Sequence, residues 1–358
     1  MISKKGATYR SAGIDLKTIQ KYHRAIEKLI SSTHRLSSSA KVISGFGHYA
    51  GLIEIDNKVL ALHSDGVGSK VLVAQLMHRF DTIGIDCIAM NANDIICLGA
   101  EPVTFINYIA LGSSNNNIVT EIVKGLVKGS ELARVSIVGG ETAVLPDIIT
   151  GSDPDNAFDL SGTILGLVNG KERLVLGNKI EVGDIILGIN SSGLHSNGYS
   201  LARRILLGKY SLHDRPKYLS NSIGEEMLIP TMIYVGPVVN LLKRSSTAPV
   251  HGLAHITGGA FTKLLRLNNK VRYNLKALPP PDGVFKQIEI DGPVGLKEMY
   301  KTFNMGIGFC VIAPKESIDA VIKLFNQYQM QCCEIGIVDE KGKGQVVATL
   351  NGKQETLA

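Results

Sequence analysis

The stretch Ile85 to Leu98 constrains the fold of this chain more than any other. Most of its positions are apolar, and Gly99 and Pro102 stop the helix that the pattern predicts from about Thr82 to Leu98. A helix that is apolar nearly all round must be buried on nearly all sides, so this one belongs between layers. Yet at about 100° per residue Asp86, Met90, Asn93, Asp94 and Cys97 share one face, with Asn91 at its edge. Burying two carboxylates and an amide together is costly unless something neutralises them. A divalent cation or a metal–phosphate group does so. So does a domain seam at which these side chains cap neighbouring backbone.

Around this helix the pattern alternates between strands and helices, and 358 residues exceed one typical core, which predicts two α/β domains. Asp15 caps an amphipathic helix running to Ile30, and strands 52–55 and 59–63 flank a turn at Asp56-Asn57-Lys58. A strand near 103–110, a helix near 119–132 and strands 135–138 and 160–168 complete the first unit. The charged, glycine-containing stretch 169–184 marks the boundary, giving domains 1–170 and 171–358. The second opens with strand 185–189 and a Ser-Gly loop into a helix near 197–207. Further strands are expected near 250–256 and 308–313, and a helix over 317–325.

The net charge of +6 suits an anionic partner, but the Lys and Arg residues are scattered, which argues against nucleic acid and for phosphorylated small molecules. Five cysteines, an odd number without a CxxC pair, read as reduced thiols of a cytoplasmic protein. Residues 1–10 carry no apolar secretory segment, and no apolar run approaches the eighteen or so residues of a membrane span.

Chemistry concentrates in five places. At the end of a strand, His63-Ser64-Asp65-Gly66-Val67-Gly68-Ser69-Lys70 combines an acid, two glycines and a lysine suited to a metal and phosphate oxygens; a capped glycine turn is the plainer reading. It lacks the spacing of a Walker A loop. Asp94 on the buried helix and Glu141 in Val138-Gly139-Gly140-Glu141-Thr142, read as a strand emptying into glycines, join Asp65 as acids able to converge on Mg²⁺. Magnesium takes one or two carboxylates, so three imply more than one ion. Ser191-Ser192-Gly193-Leu194-His195-Ser196-Asn197-Gly198 places hydroxyls and glycines before a helix, as a phosphate pocket or a plain helix cap. His251 and His255 share one face of a strand, and His255, next to Thr257-Gly258-Gly259, is the better placed for proton transfer or phosphate contact. Gly45-Phe46-Gly47-His48-Tyr49-Ala50 mimics a dinucleotide fingerprint, but a strand follows it, which excludes a Rossmann site.

Taken in order, Tyr9 to Asp15, Gly45 to Gly47, Ser64 to Lys70, Asp81 to Asp86, Asn93-Asp94, Gly99 to Pro102, Gly139 to Ala143, Ser191 to Leu201, Ala254 to Gly259 and Glu298 to Gly306 resemble the phosphoribosylformylglycinamidine cyclo-ligase (aminoimidazole ribonucleotide synthetase) family. The likeness runs from about residue 9 to about residue 338. It implies a two-domain α/β homodimer whose N-terminal strands join into a barrel across the dimer. It further implies ATP-dependent closure of the imidazole ring of formylglycinamidine ribonucleotide through phosphorylation of the formamide oxygen. By resemblance, Asp65, Asp94 and Glu141 bind the metal–nucleotide. Gly66, Gly68, Ser69, Lys70, Gly139 and Gly140 line the nucleotide phosphates. Ser192, Gly193, His195, Ser196, Asn197, Thr257 and Gly258 hold the ribotide, and His195, His255 and Lys70 serve the chemistry.

The chain departs from that pattern at Asn107, where an Asp is usual, at Val144-Leu145 in place of Glu-Met, and at Ala260 in place of a third glycine. Two rivals share the scaffold: a kinase such as a thiamine-monophosphate kinase, and a selenophosphate synthetase. The latter calls for a reactive N-terminal Cys, whereas the first here is Cys87. A non-catalytic nucleotide-binding subunit is the rival of a different class.

Overall fold

Asp56 and Asn57 both take left-handed φ values, 47° and 64°, the geometry of a two-residue hairpin loop whose twist suits antiparallel strands. The computed structural model describes residues 18, 26–44, 47–151, 153–244, 246–342 and 344–358. In it β1 (Lys41–Val42) pairs with β2 (Gly51–Ile55), and the hairpin leads to β3 (Lys58–Gly66). A short helix, α1 (Val71–Met77), precedes α2 (Ile83–Ile96), and β4 (Glu101–Leu111), α3 (Asn116–Ala133), β5 (Ser136–Val144) and β6 (Phe158–Val168) follow. Of the expected helix 15–30, residues 26–31 are helical; most of the rest, like the Tyr9–Asp15 match and Gly45-Phe46, lies outside the described residues.

These six strands form one sheet in the order β1-β2-β3-β6-β4-β5, antiparallel throughout except for the parallel β4–β5 pair. Alternate residues of β6, among them Leu160, Ile164 and Val168, are buried, as expected of strands with one covered face. α2 packs on β3, β6 and β4 and against α3. The α2–α3 contact is close because Gly84 and Gly125 stand at it. A Cβ on Gly84 would lie 2.2 Å from Leu126 N, and one on Gly125 would lie 2.2 Å from Asp81 O. Exposed apolar side chains on β4 and β5 include Val103, Ile106, Tyr108 and Val138, the last 66% exposed. Among the described residues β5 pairs only with β4 and β1 only with β2, which leaves both edges of the sheet free in one chain.

The second half supplies β7 (Ile185–Asn190), α4 (Tyr199–Leu206), α5 (Ile223–Met227), α6 (Val235–Lys243), β8 (Gly252–His255) and β9 (Val271–Leu275). It continues with α7 (Gly283–Asp291), α8 (Leu296–Thr302), β10 (Ile307–Ala313), α9 (Ile318–Gln327), β11 (Cys332–Lys341), β12 (Gln345–Leu350) and β13 (Lys353–Thr356). The seven strands order as β13-β12-β9-β11-β7-β10-β8. β8 and β10 are buried along their whole length, so they read as continuous apolar runs. α2 also touches β8 and α6. It therefore lies between the two halves with every residue but Ile85 buried, the interlayer position its composition demands. No helix among the described residues is long and apolar enough to cross a membrane.

Candidate functional site at the seam of the two halves

The polar face of α2 is the core of the seam. Asp86 Oδ1 accepts from Thr231 N at 2.7 Å, from Thr231 Oγ1 at 2.6 Å and from Ser196 Oγ at 3.1 Å. Its Oδ2 lies 2.7 Å from Lys70 Nζ. Asn93 accepts from Tyr234 N at 2.9 Å and donates to Met232 O at 2.8 Å. Asn91 clasps the backbone of Asp65 on β3, accepting from its N–H and donating to its carbonyl. Of the two ways to neutralise this face, Asp86, Asn91 and Asn93 use hydrogen bonds within the seam. Asp86 belongs to a buried ion pair instead of a cation site.

Asp94 is the member that keeps an ionic environment of its own. His255 Nδ1 donates to its Oδ1 at 2.7 Å, and His63 Nε2 lies 3.6 Å from its Oδ2. Burial pushes the Asp94 carboxyl up, but Lys263, the His255 bond and His63 together hold it well below the usual carboxylate range. Asp65 Oδ2 lies 4.0 Å from the same His63 nitrogen. Burial, and then the Asp94 charge, push Asp65 up from the ordinary carboxylate value. His63 Nε2 is itself buried without a hydrogen bond. Two carboxylates facing one orphaned buried nitrogen, with the Asp65 side chain 41% exposed, match the one or two carboxylates that magnesium uses.

Glu141 does not join them. The expected loop after a short strand is instead the body of β5, with Glu141 opposite Tyr108, Tyr108 opposite Ser161 and Ser161 opposite Gly66. Three strand spacings separate Glu141 from β3, roughly 14 Å, and among the described residues no group of three or more His, Cys, Asp or Glu side chains is arranged to hold one metal ion. The three expected metal acids thus form a pair and a separate exposed residue. Gly139 and Gly140 are strand residues as well. The Asn107 side chain lies against Gly140, where a Cβ would meet its Oδ1 at 2.6 Å.

Lys70, His255, His195 and His251 are placed differently from the expectation. Lys70 is fully buried, and its ammonium donates to Ile229 O at 2.7 Å and His195 O at 3.2 Å besides meeting Asp86. A phosphate ligand needs free donors within reach of solvent, and this ammonium is enclosed by two carbonyls and a carboxylate. His255 is fully buried, with Nδ1 on Asp94 and Nε2 3.4 Å from Asn93 Nδ2. His195 is buried too; its Nε2 accepts from Ser192 N at 3.2 Å. Burial lowers both histidines, that of His195 strongly, so both are neutral rings enclosed by protein instead of exposed proton shuttles. His251 does not share a cleft with His255; its Nδ1 meets Asp184 Oδ2 at 2.8 Å.

The 191–198 loop does lead into a helix, with Gly198 as the N-cap of α4 at φ 76°. Its hydroxyls are engaged: Ser191 donates to Asn304, Ser192 to Pro230 O and Ser196 to Asp86. Ser192 and Gly193 line a cleft of about 380 Å³ together with Pro279, Asp282 and Met305. Asn197 faces Gly258, where a Cβ would lie 2.9 Å from its Oδ1, and Thr257 accepts a hydrogen bond from Lys263. The Gly66–Lys70 segment turns through Gly68 at φ 71°, and Ser69 Oγ lies 3.4 Å from Ser200 Oγ.

Sequence reasoning did not single out Lys263, Arg266 and Tyr49. The Lys263 ammonium and the Arg266 guanidinium stand 5.6 and 5.7 Å from the Tyr49 ring centre, and Lys263 adds positive charge beside Asp94. Both cations sit on the 3₁₀ helix Ala260–Arg266, directly after the Thr-Gly-Gly segment. That position was the available signal. Tyr49, His63 and Arg266 line a second cleft of about 500 Å³.

Two family models cover nearly all of this architecture: AIR synthase related protein, N-terminal domain, over residues 47–168, and AIR synthase related protein, C-terminal domain, over 181–349. The chain belongs to the AIR synthase related family. Relatives named phosphoribosylformylglycinamidine cyclo-ligase include one from Methanocaldococcus jannaschii, 44% identical over 97% of this chain and 98% of its own length. One from Pyrococcus furiosus is 44% identical over 93% of this chain and 96% of its own. Among solved structures, thiamine-monophosphate kinase from Stenotrophomonas maltophilia aligns over 92% of this chain and 96% of its own, with a TM-score of 0.60 at 18% identity. Hydrogenase maturation protein HypE in complex with ATP aligns over 94% of each chain, with a TM-score of 0.63 at 18% identity. These two share the fold. Ala260 takes a positive φ of 45°, at the position where the resemblance leads one to expect a third glycine, the residue for which that conformation carries no steric cost.

Proposed function

We propose that this chain is an ATP-dependent cyclo-ligase that closes the imidazole ring of formylglycinamidine ribonucleotide, releasing aminoimidazole ribonucleotide, ADP and phosphate. Full-length similarity to cyclo-ligases supports the reaction. The observation that carries the site is the meeting of two loops across α2: Asp65–Lys70 from the first half touches Ser191–Asn197 from the second through Lys70, and Ser69 meets Ser200 in the helix that follows. A nucleotide and a sugar phosphate bound to these loops are neighbours.

The chemistry follows from the leaving group. Formamide oxygen leaves poorly as hydroxide or oxide. Transfer of the γ-phosphoryl group to that oxygen releases ADP and converts it to a phosphate ester. An internal nitrogen then attacks the activated carbon, the C–O bond breaks, phosphate departs and the nitrogen loses a proton. The protein's share is positioning and charge neutralisation. Asp65 and Asp94 would hold magnesium, which neutralises phosphate charge. Gly66, Gly68 and Ser69 offer backbone and hydroxyl donors to phosphate oxygens. Buried Lys263 adds positive charge beside Asp94, and Arg266 adds it at the cleft wall. Ser192, Gly193 and Asn197 receive the ribotide phosphate, with Thr257 and Gly258 behind them. Glu141, too distant to share an ion with Asp65, would serve a second ion, with Gly139 leaving open space beside the strand. The exposed apolar side chains of β4 and β5 and the free edge of β5 support a homodimer joined through this sheet, and the five free cysteines suit a cytoplasmic setting.

A coupled assay tests the reaction: ADP release must depend on the ribotide and accompany aminoimidazole product. Nucleotide hydrolysis indifferent to the ribotide sinks the reading.

A further inference from the structure

We propose that Lys70 is a positioning residue that keeps the 191–198 loop in its phosphate-receiving shape by tying it to the nucleotide-side loop. Its fully buried ammonium is held by three separate parts of the chain: it forms an ion pair with Asp86 on α2 and donates to the carbonyl of His195 inside the loop and to the carbonyl of Ile229 just before Thr231. Asp86 completes the tie from the other side, because its second oxygen holds Ser196 in the loop and Thr231 behind it. One ammonium and one carboxylate therefore bind the same loop at adjacent residues.

The loop needs such a tie. Gly193, His195 and Gly198 have φ values of 145°, 62° and 76°, and a non-glycine residue in the left-handed region persists only when its surroundings enforce it. His195 is that residue, and it is the carbonyl of His195 that Lys70 holds. A buried ion pair adds little stability over a well-packed apolar pair. What it supplies here is a fixed orientation of backbone that lies next to Ser196 and Asn197. Lys70 does this without touching a ligand.

The inference takes its ligand from the proposed function and its geometry from these contacts alone, and the test separates the two. In the full-length protein, Lys70→Met, the charge-free pair Lys70→Met with Asp86→Asn, and Thr231→Val are compared with the parent. Three quantities are read: amide exchange over 191–198, the Kd of a non-hydrolysable ATP analogue with magnesium, and the KM for the ribotide. Exchange over the loop and ribotide KM should each rise about tenfold or more in Lys70→Met, as loss of a charged hydrogen bond implies. The nucleotide Kd should change less than about threefold. Thr231→Val keeps both charges, and should move exchange and KM in the same direction even if Lys70→Met fails to fold. A nucleotide Kd that weakens as much as the ribotide KM would make Lys70 a nucleotide ligand and overturn the proposal. So would faster exchange with an unchanged KM, or a folded variant with neither change. If the parent shows no ribotide-dependent turnover, the reaction assignment fails, and the tie is then decided by exchange alone.

Discussion

His195 and His255 contribute to the pH response of this molecule between pH 7 and pH 5, alongside His48, which burial also lowers. Burial holds both rings neutral in the fold, whereas in the unfolded chain they titrate near 6.5. As pH falls below that value the unfolded state takes up protons the fold refuses, so stability declines from pH 7 toward pH 5, by up to about 1.4 kcal/mol per pH unit per ring. Urea midpoints across this range should fall, and His195→Gln should remove one ring's share of the slope. A flat profile would refute the buried neutral assignment. Asp94 acts in another window. Its folded value is depressed, so its contribution is complete above about pH 4 and is lost only below that. Asp94→Asn keeps an oxygen for His255 Nδ1 but removes the charge facing Asp65. Turnover should therefore drop by about a hundredfold or more, with the unfolding midpoint little changed; equal loss of both would give Asp94 a purely structural part. Asp86 shows what sequence could and could not reveal at this scale. Its burial was legible from its helical neighbours, but its partners Thr231 and Ser196 lie 145 and 110 residues further along, a distance that periodicity cannot span.

Among elements, the crossing of α2 and α3 is the most exacting. Backbone meets backbone where Gly84 faces Ile122 O and Leu126 N and Gly125 faces Asp81 O, so no side chain can rotate away. Gly125→Ala should cost about 2 to 4 kcal/mol in urea unfolding; a loss under about 0.5 kcal/mol would show the helices free to separate. The alternating strands and the all-apolar helix were legible because a single period describes each. β5 was not read to its end, since Gly139-Gly140 resembles a loop when the neighbouring strand is unknown. The glycine at 140 is there because the Asn107 side chain crosses it. The last strands, β11 to β13, went unread because their apolar residues are interrupted by charge and glycine, as in Cys332–Lys341.

For the whole molecule, the open first sheet predicts assembly. Val138 is 66% exposed on β5, and Ile106 and Tyr108 are exposed on the paired strand β4; Val138→Lys should shift the mass measured by light scattering from the proposed dimer toward monomer while leaving secondary structure intact, and an unchanged mass would place the interface elsewhere. The seam has another consequence. Its contacts are specific ones: a carboxylate to Thr231 and Ser196, an amide to the Tyr234 backbone, an imidazole to Asp94. An apolar boundary would tolerate a foreign half of similar shape. This one would not, so a chimaera grafting the second half of a homologue onto residues 1–170 should assemble only if the donor brings a hydroxyl, a backbone amide and a histidine to the same three places.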